Sequence, residues 1–85
     1  EQAIAAFQQA LEITPNSAGA YYNLGIAYRQ QGNYEQAIAA FQQALEITPN
    51  SAGAYYNLGI AYRQQGNYEQ AIAACQQALE IALHN

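Results

Sequence analysis

Apolar residues recur along the chain with the period of an α-helix, in two kinds of segment. In the first kind they fall at i, i+3, i+4 and i+7, at Tyr21, Leu24, Gly25 and Tyr28. In the second kind a similar stripe is formed by Ala37, Ile38, Phe41, Ala44 and Leu45. Each stripe marks one buried side of a helix. The pattern predicts five helices, near residues 1–13, 17–31, 34–47, 51–65 and 68–83.

Polar residues and glycine mark the ends of these helices. Asn16 or Ser17 can serve as the N-cap of the second helix. Asn33 precedes the third helix as its N-cap candidate. Gln36 stands three residues after Asn33, which is the spacing of a capping box. Gly32 stands just past the end of the second helix, where a left-handed residue is needed. The links between helices are short, so neighbouring helices should run antiparallel.

The sequence repeats itself with a period of 34 residues, because residues 35–68 are identical to residues 1–34. Residues 69–85 begin a third copy that departs from the first two at Cys75, Ala82, Leu83, His84 and Asn85. A period of this length indicates stacked supersecondary units, each of which buries its apolar side against the next. The loss of Thr-Pro at 82–83 should let the last helix run on.

The repeated residues resemble the tetratricopeptide repeat. The first copy of the pattern is Tyr21, Leu24, Gly25, Tyr28, Ala37, Phe41, Ala44 and Pro49. The second copy is Tyr55, Leu58, Gly59, Tyr62, Ala71 and Ala78. Three features depart from the family: Tyr21 and Tyr55 replace Trp, Cys75 replaces a large aromatic residue, and Leu83 replaces Pro. The resemblance implies an all-α fold of antiparallel helical hairpins stacked as a right-handed α-solenoid.

The same resemblance implies a single array over residues 1–85, with two and a half units. Residues 1–16 would be the second helix of an incomplete unit, and 17–50 and 51–85 would be complete units. Because the chain begins inside a unit, we expect it to be a piece of a longer protein. Phe41 should be supported by the unit that follows it, whereas Cys75 has none, so 51–85 is interpreted as the C-terminal edge of the array.

Composition and charge exclude several classes of function. The net charge is −4 and the only cations are Arg29 and Arg63, too few to neutralise nucleic-acid phosphates. No apolar run approaches the roughly 20 residues of a membrane span, and no signal peptide is visible. We therefore expect a cytoplasmic protein that binds neither nucleic acid nor membrane.

Few residues could carry catalysis or bind a metal. Cys75 and His84 lack a third orienting group, and together they fall short of the usual four ligands of a zinc site. We expect no enzymatic activity, no metal and no cofactor. Cys75 is expected to be a partly buried small hydrophobic residue, or to form an intermolecular disulfide if it is exposed.

A further stripe on the first helix of each unit is offset from the packing stripe. It contains Gly19, Tyr22, Asn23, Ile26, Arg29 and Gln30, and its copy contains Gly53, Tyr56, Asn57, Ile60, Arg63 and Gln64. By resemblance, this surface lines the concave groove in which family members bind peptides. The predicted site residues are Tyr22, Asn23, Ile26, Arg29, Tyr56, Asn57, Ile60 and Arg63. The alternative is a merely exposed face.

Family members bind peptides in two ways that matter here. Some clamp a C-terminal carboxylate with Lys and Asn, but this chain has no Lys. Others hold the backbone of an extended peptide with a ladder of Asn, which Asn23 and Asn57 match better. We expect a non-catalytic scaffold that binds an extended peptide or protein segment. The alternative is a self-associating fragment, a homodimer through end helices that expose Phe7 and Leu11, and a consensus or designed repeat is an alternative origin.

Overall fold

The computed structural model describes residues 2–84, which form five α-helices and no β-strand. The helices are α1 (Gln2–Ile13), α2 (Ala18–Gln30), α3 (Tyr34–Ile47), α4 (Ala52–Gln65) and α5 (Tyr68–Leu83). Their number and order confirm the helical pattern in the sequence, with ends that differ by one residue at most; residue 1 lies outside the described residues. As expected from the loss of Thr-Pro, α5 has 16 residues whereas its copy α3 has 14.

The N-termini of the helices are capped in two different ways. At α2 and α4, the Oγ atoms of Ser17 and Ser51 each accept a hydrogen bond from a backbone N–H at 3.1 Å. At α3, the N-cap residue Asn33 accepts no capping hydrogen bond from any described N–H of the helix. Its Nδ2 instead donates to Gln31 Oε1 at 3.1 Å. The capping box predicted at Asn33 and Gln36 is therefore wrong.

The turn before α3 explains this difference. Gly32 adopts a φ of 85° and donates its N–H to Arg29 O at 3.0 Å, while the Asn33 N–H bonds Tyr28 O at 2.9 Å. These two bonds form a Schellman motif, which places a glycine where L side chains are strained. Asn33 then stands with a ψ of 72° and makes no side-chain capping bond to the described helix.

The helices pair as two hairpins, α2 with α3 and α4 with α5, and α4 lies against α3 while α1 lies against α2. Phe41 is the largest fully buried side chain, with 0% of its surface exposed. A Cβ atom on Gly25 would lie 2.6 Å from the Phe41 ring, so glycine is required where the two helices meet. The same ring shares a core cluster with Leu58 and Ala61 of α4. Phe41 is thus supported by the following hairpin, as predicted.

Both ends of the stack leave apolar side chains in contact with solvent. Cys75 is exposed, so the expectation that it is partly buried is wrong: within residues 2–84 no helix covers α5 as α4 covers α3. At the other end, Phe7 and Leu11 are half-buried against the cluster that contains Ile4 and Leu24. The uncovered stripe predicted on α1 is therefore only partly exposed. No helix within the described chain is long and apolar enough to cross a membrane.

Candidate functional site

The first helices of the two hairpins, α2 and α4, bring three of the predicted site residues together. Asn57 Nδ2 donates to Tyr22 Oη at 3.0 Å and to Gly53 O at 2.9 Å. Asn57 Oδ1 accepts a hydrogen bond from Arg29 Nη2 at 3.5 Å. Tyr22 and Arg29 lie on α2 and Asn57 on α4, so this polar network joins the two hairpins.

The network changes what each asparagine can offer to a ligand. A primary amide has two N–H donors and two acceptor lone pairs, and both donors of Asn57 are already used. Its Oδ1 keeps room for one further donor. Asn23, by contrast, is exposed and makes no side-chain hydrogen bond with the residues that the structure describes. Two residues in identical sequence surroundings therefore have different free hydrogen-bonding groups.

The aromatic and aliphatic members of the predicted site also divide by hairpin. Tyr22 and Ile26 are half-buried and pack against the core cluster, where the Tyr22 and Phe41 rings pack edge to face with their centroids 6.0 Å apart. On α4 the tyrosine copy is more open, with Tyr56 55% exposed, whereas Ile60 is half-buried like Ile26. On α2 these side chains therefore hold the stack together as well as lining the surface.

The two arginines follow the same division. Arg29 is half-buried between α2 and α4, and its Nε has no hydrogen-bond partner among the described residues. Arg63 is exposed. Both are single positive charges in a chain of net charge −4, so within residues 2–84 a ligand meets arginine side chains along α2 and α4.

A hollow of about 310 Å³ lies between the N-terminal halves of α2 and α4. We call it the α2–α4 groove; it is lined by Gly19, Tyr22, Asn23, Ser51 and Gly53 among others. A Cβ on Gly19 would meet nothing within 4 Å, whereas one on Gly53 would lie 3.3 Å from Tyr22 Oη. Glycine at these two helical positions therefore keeps the groove open, a role that their unfavourable helix propensity could have signalled.

A second hollow, of about 420 Å³, lies on the outer side of the last hairpin. We call this surface the C-terminal face, formed by Tyr56, Ile60, Arg63, Ile72, Cys75 and Leu79. Three of its residues were predicted as groove residues, and the three from α5 were missed. The repeat itself contained the signal, because copies of the α5 residues lie on α3 in the stripe that packs against α4.

The residues with reactive side chains are not assembled into a catalytic or metal-binding cluster. Cys75 lines the C-terminal face, whereas His84 lines a different hollow beside Pro49 and Tyr55. Within residues 2–84 there is no group of three or more His, Cys, Asp or Glu side chains that could hold a metal ion. What the surface offers is amides, aromatic rings and two guanidinium groups, which suit binding.

A stack of helical hairpins with an open polar groove defines a helical-repeat scaffold for protein interactions. Three models of tetratricopeptide repeats match residues 6–39, 26–66 and 52–85, and the chain belongs to the tetratricopeptide repeat family. This family is a non-catalytic protein-interaction repeat. A search of curated proteins gave no match.

Solved structures with the same fold include two described as "Crystal structure of MamA" and "Crystal structure of MamA protein". The first is 33% identical with a TM-score of 0.91, covering 95% of this chain and 47% of that one. The second is 35% identical with a TM-score of 0.88, covering 92% of this chain and 43% of that one. The chain thus spans about half the length of the structures it matches.

Proposed function

We propose that the α2–α4 groove binds an extended segment of polypeptide, without catalysing a reaction. The observation that carries this proposal is the unpaired amide of Asn23 beside the hollow of about 310 Å³. An exposed asparagine amide can donate to a peptide carbonyl and accept from a peptide N–H. It therefore satisfies a peptide unit without reading its side chain.

The second rung of the ladder works differently from the first. Because both donors of Asn57 are held by Tyr22 Oη and Gly53 O, Asn57 offers only the remaining lone pair of Oδ1. It can accept one backbone N–H from the ligand. A peptide would then both donate and accept a hydrogen bond at Asn23, but only donate one at Asn57. This difference sets the direction of the peptide along the groove.

Apolar and charged side chains around the two amides define the class of ligand. Tyr22 lines the groove itself. Ile26 lies further along α2, and Tyr56 and Ile60 line the C-terminal face, so their apolar contact would extend beyond the groove. Arg29 and Arg63 favour an acidic residue in the peptide, whereas the net charge of −4 opposes a strongly acidic one. We expect a mostly apolar segment with one acidic residue. Two hairpins give a short groove, so affinity should be weak, with a Kd of about 10 µM to 1 mM.

The test is a titration of capped peptides into the ¹⁵N-labelled chain, followed by NMR. Asn23→Ala should weaken binding about 10-fold, since a hydrogen bond of this kind is worth about 1 kcal/mol and an unpaired buried peptide group costs more. Asn50→Ala, in the exposed link between α3 and α4, is the matched control and should change nothing. Binding that is unaffected by Asn23→Ala would refute the amide mechanism, and shifts confined to the ends of the stack would refute the groove.

Self-association through end helices is the second candidate, and exposure at α1 favours it. Ala3 and Ala10 are exposed there, and Ile13 is 84% exposed. Burying such apolar surface contributes about 25 cal/mol per Å². Light scattering should then give a dimer that survives dilution and is lost in Ala10→Glu. The same charge at the exposed Gln9 is the control, and a monomer at every concentration would exclude this candidate.

A further inference from the structure

The guanidinium of Arg29 is half-buried between α2 and α4 with few partners for its charge. A guanidinium has five N–H donors, and within residues 2–84 only Nη2 has a partner, Asn57 Oδ1 at 3.5 Å. Nε is buried without a partner among these residues. The glutamates of the described chain are all exposed, and none of them pairs with Arg29. A charge held in this way costs free energy until an anion compensates it.

The helix dipole explains why an arginine stands at this position, but not why its side chain bonds α4. Arg29 lies in the last turn of α2, where a cation meets the negative end of the dipole. Arg63 lies in the last turn of α4 in the same way, and it is exposed. Arg29 reaches across to α4, and its Nη1 is neither buried nor bonded among the described residues. A ligand can therefore reach Nη1.

A hydrogen-bond acceptor stands beside this donor. Asn57 Oδ1 lies 3.5 Å from Arg29 Nη2 and keeps one lone pair for a ligand. The two N–H groups of the same amide are held by Tyr22 Oη and Gly53 O, which fixes the direction of Oδ1. The site therefore offers an acceptor for an N–H group and a donor for an anion at a fixed separation.

Aspartate presents the complementary groups within a single residue. Its backbone N–H is a donor, and its carboxylate oxygens lie roughly 3–4 Å from the backbone nitrogen in common rotamers. This separation matches the 3.5 Å between Asn57 Oδ1 and Arg29 Nη2. A glutamate places its carboxylate one bond further away and loses more rotamer freedom on binding.

We propose that Arg29 and Asn57 together recognise an aspartate in the extended peptide that the α2–α4 groove binds. The backbone N–H of the aspartate donates to Asn57 Oδ1, and its carboxylate accepts from the Arg29 guanidinium. Tyr22 lines the groove and bonds Asn57, so a peptide that follows the groove reaches this pair. The inference rests on the proposed function and adds to it a ligand side chain that determines specificity.

The positions of Asn23 and Arg29 along α2 set the register of the peptide. Arg29 follows Asn23 by six residues, which is about 9 Å along a helix. An extended peptide covers that distance in about three residues. The aspartate is therefore separated by about three residues from the peptide unit that Asn23 holds, and a heptapeptide with a central aspartate is long enough to contact both.

The probe is a capped heptapeptide of alternating valine and serine with aspartate at its centre, titrated into the full ¹⁵N-labelled chain at low salt. β-Branched residues favour an extended backbone. Replacing the aspartate by asparagine should weaken binding about 10-fold, because hydrogen bonds between charged groups are the stronger ones and low salt leaves them unscreened. The chain has two arginines, so NMR shows two Nε–H signals. The Arg29 signal should shift with the aspartate peptide and much less with the asparagine peptide.

Two variants with the same net charge make the test specific. In Arg29→Gln, the aspartate and asparagine peptides should bind within about twofold of each other, because their coupling to the guanidinium is removed. Arg63→Gln is the matched control, in the last turn of α4, and should keep the difference of about 10-fold. Each variant is judged by comparing two peptides on the same protein, so a general loss of stability in Arg29→Gln does not mimic the expected result.

The proposal fails if the two peptides bind equally to the unaltered chain, or if the difference between them survives Arg29→Gln. It also fails if the asparagine peptide cut after its central residue, with a free C-terminal carboxylate, binds more tightly than the aspartate peptide, because the pair would then select a chain end. In each of these cases, binding that Asn23→Ala weakens leaves the groove proposal standing. Absence of binding by every peptide would refute both proposals.

Discussion

Replacing Phe41 by cysteine should destabilise the chain far more than replacing Cys75 by phenylalanine. Phe41 is fully buried, lies over Gly25 and meets the Tyr22 ring edge-on. Truncating a buried phenylalanine to alanine costs about 3–5 kcal/mol, and the thiol refills part of the space, so we expect a loss of about 2–4 kcal/mol. Cys75→Phe adds a ring on an open surface and should change stability by less than about 1.5 kcal/mol.

The loss at Phe41 is large on the scale of the whole molecule. A folded chain is stabilised by about 0.05–0.15 kcal/mol per residue, which for 85 residues is about 4–13 kcal/mol. Phe41→Cys would therefore remove a substantial part of the free energy of unfolding. Its effect should spread to both hairpins, because the Phe41 ring shares one cluster with Leu58 and Ala61 of α4.

Urea unfolding followed by circular dichroism at reducing conditions measures both changes. With slopes of about 1–3 kcal/mol per molar urea, Phe41→Cys should shift the midpoint by roughly 1 M or more. Cys75→Ser controls for the chemistry of the thiol and should leave the midpoint nearly unchanged. Equal losses at Phe41 and Cys75 would refute the reasoning, because they would mean that the following hairpin does not support the ring.

Two further matched pairs test the caps and the close helix contact. Ser51→Ala should lower the free energy of unfolding by about 1 kcal/mol, whereas Asn33→Ala should cost clearly less because its side chain caps no described N–H; equal losses in urea would contradict the assigned caps. Gly25→Ala should cost about 1–3 kcal/mol, because its Cβ would press on the buried Phe41 ring at 2.6 Å. The Cβ of Gly59→Ala would meet an exposed thiol that can rotate, and a backbone oxygen at 3.1 Å. A larger loss of stability in thermal unfolding for Gly59→Ala than for Gly25→Ala would contradict this account.

The helices could be predicted from the sequence because the evidence for them is local. A stripe with a period of 3.6 and a glycine after the helix end specify α2 and α3 without reference to the rest of the chain. The repetition then predicts the hairpins, and the tetratricopeptide pattern predicts how they stack. The error at Asn33 has the opposite cause: its backbone is fixed by hydrogen bonds of the preceding turn, which the residue type alone does not reveal.

The candidate site was harder to predict because identical residues have different neighbours. Asn23 and Asn57 occur in the same 34-letter unit, so any rule based on sequence assigns them one role. In the structure, Asn57 faces the Tyr22 hydroxyl of the hairpin before it. The helix before Asn23 is α1, which corresponds to the second helix of a repeat unit and carries no tyrosine. No described tyrosine therefore stands opposite Asn23. Position in the stack, rather than residue type, decides which amide is free.

The contacts of Asn57 limit what an asparagine ladder in this chain can offer to a ligand. Where α4 follows α2, Tyr22 of the preceding hairpin accepts one N–H of the Asn57 amide, and the carbonyl of Gly53 accepts the other. Only the acceptor Oδ1 of Asn57 then remains for a ligand. Adding hairpins would therefore lengthen a row of acceptors for peptide N–H groups without adding donors.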